Sequence, residues 1–179
     1  MQQRPASLKV RALQWLAQRE HSRQELRDKL LRLLPGRGHG AHHGDDDVPS
    51  REAAAAEVEA LLQWLEVHGH LSDARFVESR LRVRQARYGN LRIHQELKQH
   101  GLWLDAEGRD ALQQSELERA RALWSRRYGA PPRDPAARLR QMRFLAGRGF
   151  SLDVVRRVVG RSGAKAEPSG DEDAPFDEA

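Results

Sequence analysis

No cysteine occurs anywhere in the 179 residues, so structural disulfides, thiolate metal sites and a cysteine nucleophile are all excluded. Long apolar runs are missing as well: nothing approaches the roughly 20 apolar residues of a membrane span, and the opening MQQRPASLKV holds no apolar stretch of the signal-peptide kind. The expectation is a soluble, cytoplasmic protein that does not touch a membrane. Catalytic signatures are equally scarce. There is no Gly-x-Ser-x-Gly, no Gly-rich phosphate loop ending in Lys-Ser/Thr and no His-Glu-x-x-His. Carboxylates fall at helix-cap positions or in i, i+4 pairs such as Arg92 with Glu96, where a structural role suffices. Neither catalysis nor a cofactor is expected. Finally, no segment of useful length alternates apolar and polar residues as a half-buried strand would, which leaves an all-α fold.

What the chain does have is helical spacing. Leu8, Ala12, Trp15 and Leu16 fall at i, i+4, i+7, i+8, as do Leu26, Leu30, Leu33 and Leu34, while Val58, Leu61, Leu62 and Leu65 follow i, i+3, i+4, i+7; each set lays one apolar stripe along a helix. Ser22 to Glu25 and Ser115 to Glu118 fit the capping box, and Asp134 before Pro135 marks a third helix start. A recurring element punctuates these helices. Gly69 precedes Asp73, Gly101 precedes Asp105 and Gly149 precedes Asp153, each by four residues. Glycine closes one helix in the left-handed conformation, and a short turn then leads to the cap of the next, Ser72 or Asp73 in the first copy. Each copy lies between amphipathic helices, as in a chain built from small helical units in series. The reading is an elongated array of three tandem three-helix repeats, about nine helices, over residues 1–70, 71–115 and 116–160. Gly69, Gly101 and Gly149 should end helices, and Phe76, Leu97 and Leu145 should be buried. Trp15, Trp64, Trp103 and Trp124 are expected in the core or between units.

Two segments stand outside this scheme. Residues 35–49, PGRGHGAHHGDDDVP, hold His39, His42, His43 and the run Asp45 to Asp47. Their irregular spacing among glycines reads as a flexible surface insertion rather than a metal site. Residues 161–179 read as a disordered acidic tail.

The charge is unevenly spread. Residues 1–70 hold 10 Lys/Arg and 10 Asp/Glu, residues 71–160 hold 19 and 10, and residues 161–179 hold 2 and 6, which gives 0, +9 and −4 and sums to the net +5. A basic block of this kind favours a polyanionic partner, because each cation placed near a phosphate releases condensed counterions. On the helix that starts near Ser72, Arg80, Arg84 and Arg87 fall at i, i+4, i+7, a single stripe, while Phe76, Val77 and Leu81 are expected toward the packed side. Mutual repulsion along that stripe is offset by an anionic partner. A second basic set, with Arg138, Arg140, Arg143, Arg148, Arg156 and Arg157, lies in the last unit.

Four stretches resemble the RecX family, small regulators of the RecA recombinase. REHSRQELRDKL, from Arg19 to Leu30, carries Ser22, Glu25, Leu26, Lys29 and Leu30 in the family spacing. LEVHGHLSDARFV, from Leu65 to Val77, is similar to a second element, with His70 where an aromatic is usual and Ser72 where an acid is. RYGNLRIHQELKQHGL, from Arg87 to Leu102, holds Gly89, Arg92, Ile93, Glu96, Leu97 and Gly101 in place, with His100 replacing the usual cation. RFLAGRGFSLDVV, from Arg143 to Val155, resembles the terminal element. Together they run in order over residues 7–160, and residues 35–49 depart from the pattern as an insertion.

The resemblance implies a curved array of three three-helix repeats without chemistry of its own. Such a protein binds the RecA nucleoprotein filament, and single- or double-stranded DNA without sequence preference. It lowers RecA's strand-exchange, ATPase and coprotease activities in recombinational repair and the SOS response. The chain is expected to act as a monomer. Candidate contacts in the second unit are Arg75, Arg80, Arg84, Arg87 and Arg92. In the third they are Arg126, Arg127, Arg140, Arg143, Arg148, Arg156 and Arg157. The rival reading is a helix-turn-helix transcriptional regulator, but arginine spread over two units suits a backbone or filament better than one recognition helix. A scaffold with only protein partners is the third reading.

Overall fold

The computed structural model describes residues 7–34 and 51–160, and all regular structure among them is helical. Eight helices follow in order: α1 Leu8–Gln18, α2 Arg23–Leu33, α3 Arg51–Val67, α4 Asp73–Arg84, α5 Asn90–Gln99, α6 Ala106–Arg127, α7 Pro135–Gly147 and α8 Leu152–Val159. The 35–49 segment and the tail from 161 lie outside the described residues. Local chemistry accounts for most helix starts. Ser7, Ser22, Ser72, Asp105 and Asp134 each accept a hydrogen bond from the backbone N–H three residues on, and Pro135 takes the first position of α7. At Ser22 only half of the expected capping box forms. The hydroxyl accepts from Glu25 N at 3.1 Å, but the Glu25 carboxylate turns to Arg19 instead of reaching back.

Three apolar clusters divide the chain. Ala12, Leu26, Leu30, Val58, Leu62 and Leu65 join α1, α2 and α3. Ile93, Leu97, Leu104 and Leu112, with Val77 and Leu81 against them, join α4, α5 and the first half of α6. Ala120, Leu145, Phe150, Val154, Val155 and Val159 join the second half of α6 to α7 and α8. The second and third units therefore share one helix, and eight helices stand among the described residues where about nine were expected of the chain. Ser115 does not start a helix. Nothing between Ala106 and Arg127 breaks the backbone, and the Ser115 hydroxyl donates back to Leu112 O at 3.1 Å while the helix runs on.

The repeated glycine motif closes helices as expected. Gly69, Gly101 and Gly149 have φ of 72°, 71° and 82°. The residue after each donates to a carbonyl five positions back, His70 to Leu65, Leu102 to Leu97 and Phe150 to Leu145, the Schellman closure. Leu65, Leu97 and Leu145 are buried, and so is Phe76. The aspartates diverge. Asp105 caps its own helix, whereas Ser72 caps α4 and frees Asp73 to accept from Arg23 N, at the start of α2, at 2.8 Å. Asp153 lies inside α8.

That reach from Asp73 is one of several polar contacts joining the first two units. Ser22 Oγ lies 3.1 Å from His100 Nδ1, and Arg75 pairs with Glu20 at 2.9 Å. Beneath them His21 is almost wholly buried. Lys29 can only donate to His21 Nε2, at 2.8 Å, so Nδ1 carries the proton toward Arg19 O at 3.0 Å. Burial, aided by the charges of Arg19 and Lys29, holds His21 below its ordinary value of 6.5 against the opposing pull of the Arg19 carbonyl and Glu25. The unfolded chain then binds the extra proton between the two values, so stability is full above pH 6.5 and falls as the pH drops through that window. We expect the melting temperature to decline on acidification from pH 7.5 toward 5.5, and the decline to flatten in His21→Gln. An equal decline in that variant would remove His21 from the account.

The second and third units meet differently. Neither α5 nor α8 has a side-chain cap of its own. One fully buried carboxylate, Glu116 of α6, serves both: it accepts from Asn90 N at 3.0 Å, from Ser151 N at 3.3 Å and from the Ser151 hydroxyl at 3.1 Å. Beside it the loops before these helices touch directly. Gly89 N donates to Arg148 O at 2.9 Å and Leu91 N to Gly149 O at 3.0 Å.

Candidate anion-binding groove

Helix α4 presents Arg80 and Arg84 four residues apart, and α5 presents Arg92, Gln95, Glu96 and Gln99. With His100 these side chains line a groove of about 510 Å³. Arg84 meets the Glu96 carboxylate at 2.8 Å and Arg80 meets it at 3.4 Å. The rest of the arrangement centres on Tyr88. The guanidinium carbons of Arg92, Arg84 and Arg148 lie 4.7, 5.5 and 5.8 Å from its ring centroid, a distance at which the π face attracts a cation. Three guanidiniums thus converge on one phenol, and Glu96 is their one carboxylate partner among the described ion pairs.

The expected stripe is shorter than its spacing suggested. Helix α4 stops at Arg84, and Arg87 lies in the turn that follows, exposed and without an ion pair among the described residues. That turn is gripped from outside. Arg119 donates to Gln85 O at 3.3 Å and Tyr88 O at 2.8 Å, Arg126 to Ala86 O at 3.2 Å and Arg148 to Arg87 O at 3.4 Å. Guanidiniums thus satisfy carbonyls of the turn that follows the C-terminus of α4, an end at which the helix dipole favours cations. Arg126 and Arg148, expected as contacts, are partly committed to this grip. Arg75 is committed as well, to Glu20 and to the carbonyls of Gly69 and His70.

Other candidates remain on the surface. Arg127 is exposed beside the Tyr128 ring at 5.9 Å. Arg140, Arg143, Arg156 and Arg157 are exposed and make no ion pair among the described residues. Arg138 donates to Gly160 O at 3.0 Å. Trp103 departs from expectation: it is 72% exposed in the turn between α5 and α6, because its neighbours Leu102 and Leu104 take the apolar positions there.

Sequence reasoning missed Glu116 and Arg119. Burial pulls the Arg119 guanidinium below its ordinary range, and the nearby Glu116 charge opposes this. A signal for Glu116 was present: it falls on the stripe Leu112, Glu116, Ala120 at four-residue spacing, where a carboxylate has no solvent. Arg119 carried no such mark.

No helix among the described residues is long and apolar enough to cross a membrane, and no cluster of three or more potential metal ligands occurs among them. The fold and groove together define a tandem three-helix-unit protein with a basic face. Residues 72–102 match the family model described as the second three-helix domain of RecX, and residues 114–159 match that of the third. The chain is 48% identical over 157 residues to the regulatory protein RecX of Ralstonia nicotianae, covering 87% of each. It is 48% identical over 155 residues to that of Leptothrix cholodnii, covering 86% of this chain and 87% of the relative. To that of Pseudomonas putida it is 38% identical over 160 residues, covering 87% and 90%. The chain belongs to the RecX family of regulatory proteins. The crystal structure of RecX from Lactobacillus salivarius has the same fold, with a TM-score of 0.59 over 85% of this chain and 92% of that one, at 20% identity.

Proposed function

We propose that this chain binds the RecA nucleoprotein filament and restrains its recombinase, ATPase and coprotease activities, contacting DNA without sequence preference and catalysing nothing itself. Membership of a family of regulatory proteins supports RecA as the partner. The observation that carries the contact surface is the set of exposed arginines without ion pairs among the described residues, Arg87 and Arg92 in the second unit and Arg140, Arg143, Arg156 and Arg157 in the third. Cations left unpaired on one block are available to phosphate, and each one engaged releases counterions. Arg80, Arg84 and Arg92 line the groove, and Arg127 with the partly committed Arg75, Arg126 and Arg148 are further candidates outside its lining.

The test is ATP hydrolysis by RecA on single-stranded DNA with this chain at substoichiometric amounts. Hydrolysis should fall, and the double variant Arg84→Gln, Arg92→Gln should need about tenfold more protein for the same effect, in line with losing two charge-assisted contacts. Unchanged hydrolysis at equimolar protein defeats the reading. A transcriptional regulator would instead select one duplex sequence over an unrelated competitor.

A further inference from the structure

The groove between α4 and α5 carries its own anion. Glu96 accepts from Arg84 Nη2 at 3.0 Å and lies 2.8 Å from Arg84 Nε, with Arg80 Nη1 at 3.4 Å. The other lining groups are Arg92, two glutamines and His100. One carboxylate therefore serves two guanidiniums, and among the described residues Arg92 has the Tyr88 ring and no ion pair. These side chains are reachable, with 27% of Arg80, 32% of Arg84 and 20% of Glu96 exposed. Ion pairs of such exposure contribute little to folding. What this one does is aim two guanidinium forks into the groove and occupy the donors that an incoming oxyanion needs.

We propose that Glu96 is an internal stand-in for phosphate: it holds Arg80 and Arg84 in the free protein, a phosphodiester displaces it, and it thereby sets the affinity and salt dependence with which the groove takes DNA. This rests on the reading of the groove as a DNA contact. A phosphodiester fits better than a protein carboxylate because exposed arginines without ion pairs among the described residues also occur outside the groove, at Arg87 in the turn after α4 and at Arg140 and Arg143 of the third unit. A polymer with a charge at every backbone step matches such a series. An entering phosphate competes with Glu96 for Arg84 and is repelled by it, so removing the carboxylate removes both penalties.

The full chain is titrated against a labelled oligothymidylate over a series of salt concentrations, with helix content recorded for each variant. Glu96→Gln should bind about fivefold tighter at low salt, the factor expected of one partly exposed charge. Its salt slope should steepen by about 0.7, one further phosphate neutralised on a single strand. Glu96→Ala must move in the same direction and carries the test should the glutamine variant lose helix content. Arg84→Gln should bind about fivefold more weakly with a flatter slope. Unchanged or weaker binding by both Glu96 variants, with Arg84→Gln weakened, overturns the stand-in and leaves the groove as a DNA contact. No change in any variant removes the groove from DNA binding altogether. Tighter binding to RecA filaments but not to the bare oligonucleotide overturns the proposal in favour of an acidic protein surface.

Discussion

Replacing Glu116 by alanine is expected to destabilise the protein by about 3 to 5 kcal/mol, the cost of deleting one member of a buried polar and charged cluster. The carboxylate is fully buried and accepts from three donors on two helices. Without it, Asn90 N, Ser151 N and the Ser151 hydroxyl lose their partner in the interior. Arg119, itself bonded to Asn90, Tyr88 O and Leu112 O, loses the nearest opposing charge. Thermal unfolding should shift down by on the order of 10 °C for a domain of this size. Glu116→Gln keeps one acceptor and the side-chain volume, and should fall between alanine and the parent. A shift of under about 1 kcal/mol in the alanine variant would mean that water enters and caps both helices instead.

Gly89→Ala should cost about 3 kcal/mol, the upper end of overpacking penalties. A Cβ at this position would lie 2.3 Å from Gly149 O and from the backbone N and Cα of Phe150. None of these can swing aside as a side-chain tip does, so the loops must part, and the bonds from Gly89 N and Leu91 N go with them. Gly101→Ala is the contrast. Nothing lies within 4 Å of its Cβ, and the strain comes from its φ of 71° alone, about 1 to 2 kcal/mol. Urea denaturation of the two variants reads the difference, and hydrogen exchange at the Leu91 amide localises it. Equal costs would deny the direct contact between the loops.

The local features were legible because each one is written within a few residues. The Gly-to-Asp spacing located three helix closures, and Phe76, Leu97 and Leu145 are buried as expected. What failed depended on residues far apart in sequence. Ser115 and Glu118 have the spacing of a cap, but whether a hydroxyl starts a helix or bonds back within one depends on what packs on either side of it. Leu112 packs in the second core and Ala120 in the third, so the helix between them is held at both ends. The basic stripe was read by counting along one helix; Glu96, twelve residues beyond Arg84, and the grip of Arg119, Arg126 and Arg148 on the turn after α4 come from other helices. Glu96 was in view as a possible ion-pair partner, but spacing along the sequence gives no access to the grip on that turn. The placement of Trp103 failed for a related reason, since hydrophobicity alone does not say which of three successive apolar residues faces outward.

The helix shared by the second and third units acts as an index between them. From Leu112 to Ala120 is eight residues, or about 80° beyond two full turns at roughly 100° per residue. The direction in which the third unit faces relative to the second is therefore a matter of residue count. One residue inserted there would turn the third unit by about 100° and advance it by about 1.5 Å, re-aiming Arg140, Arg143, Arg156 and Arg157 relative to the second unit, with every one of those side chains still present and exposed. In this protein the phase of one helix sets how the two basic faces are turned relative to each other.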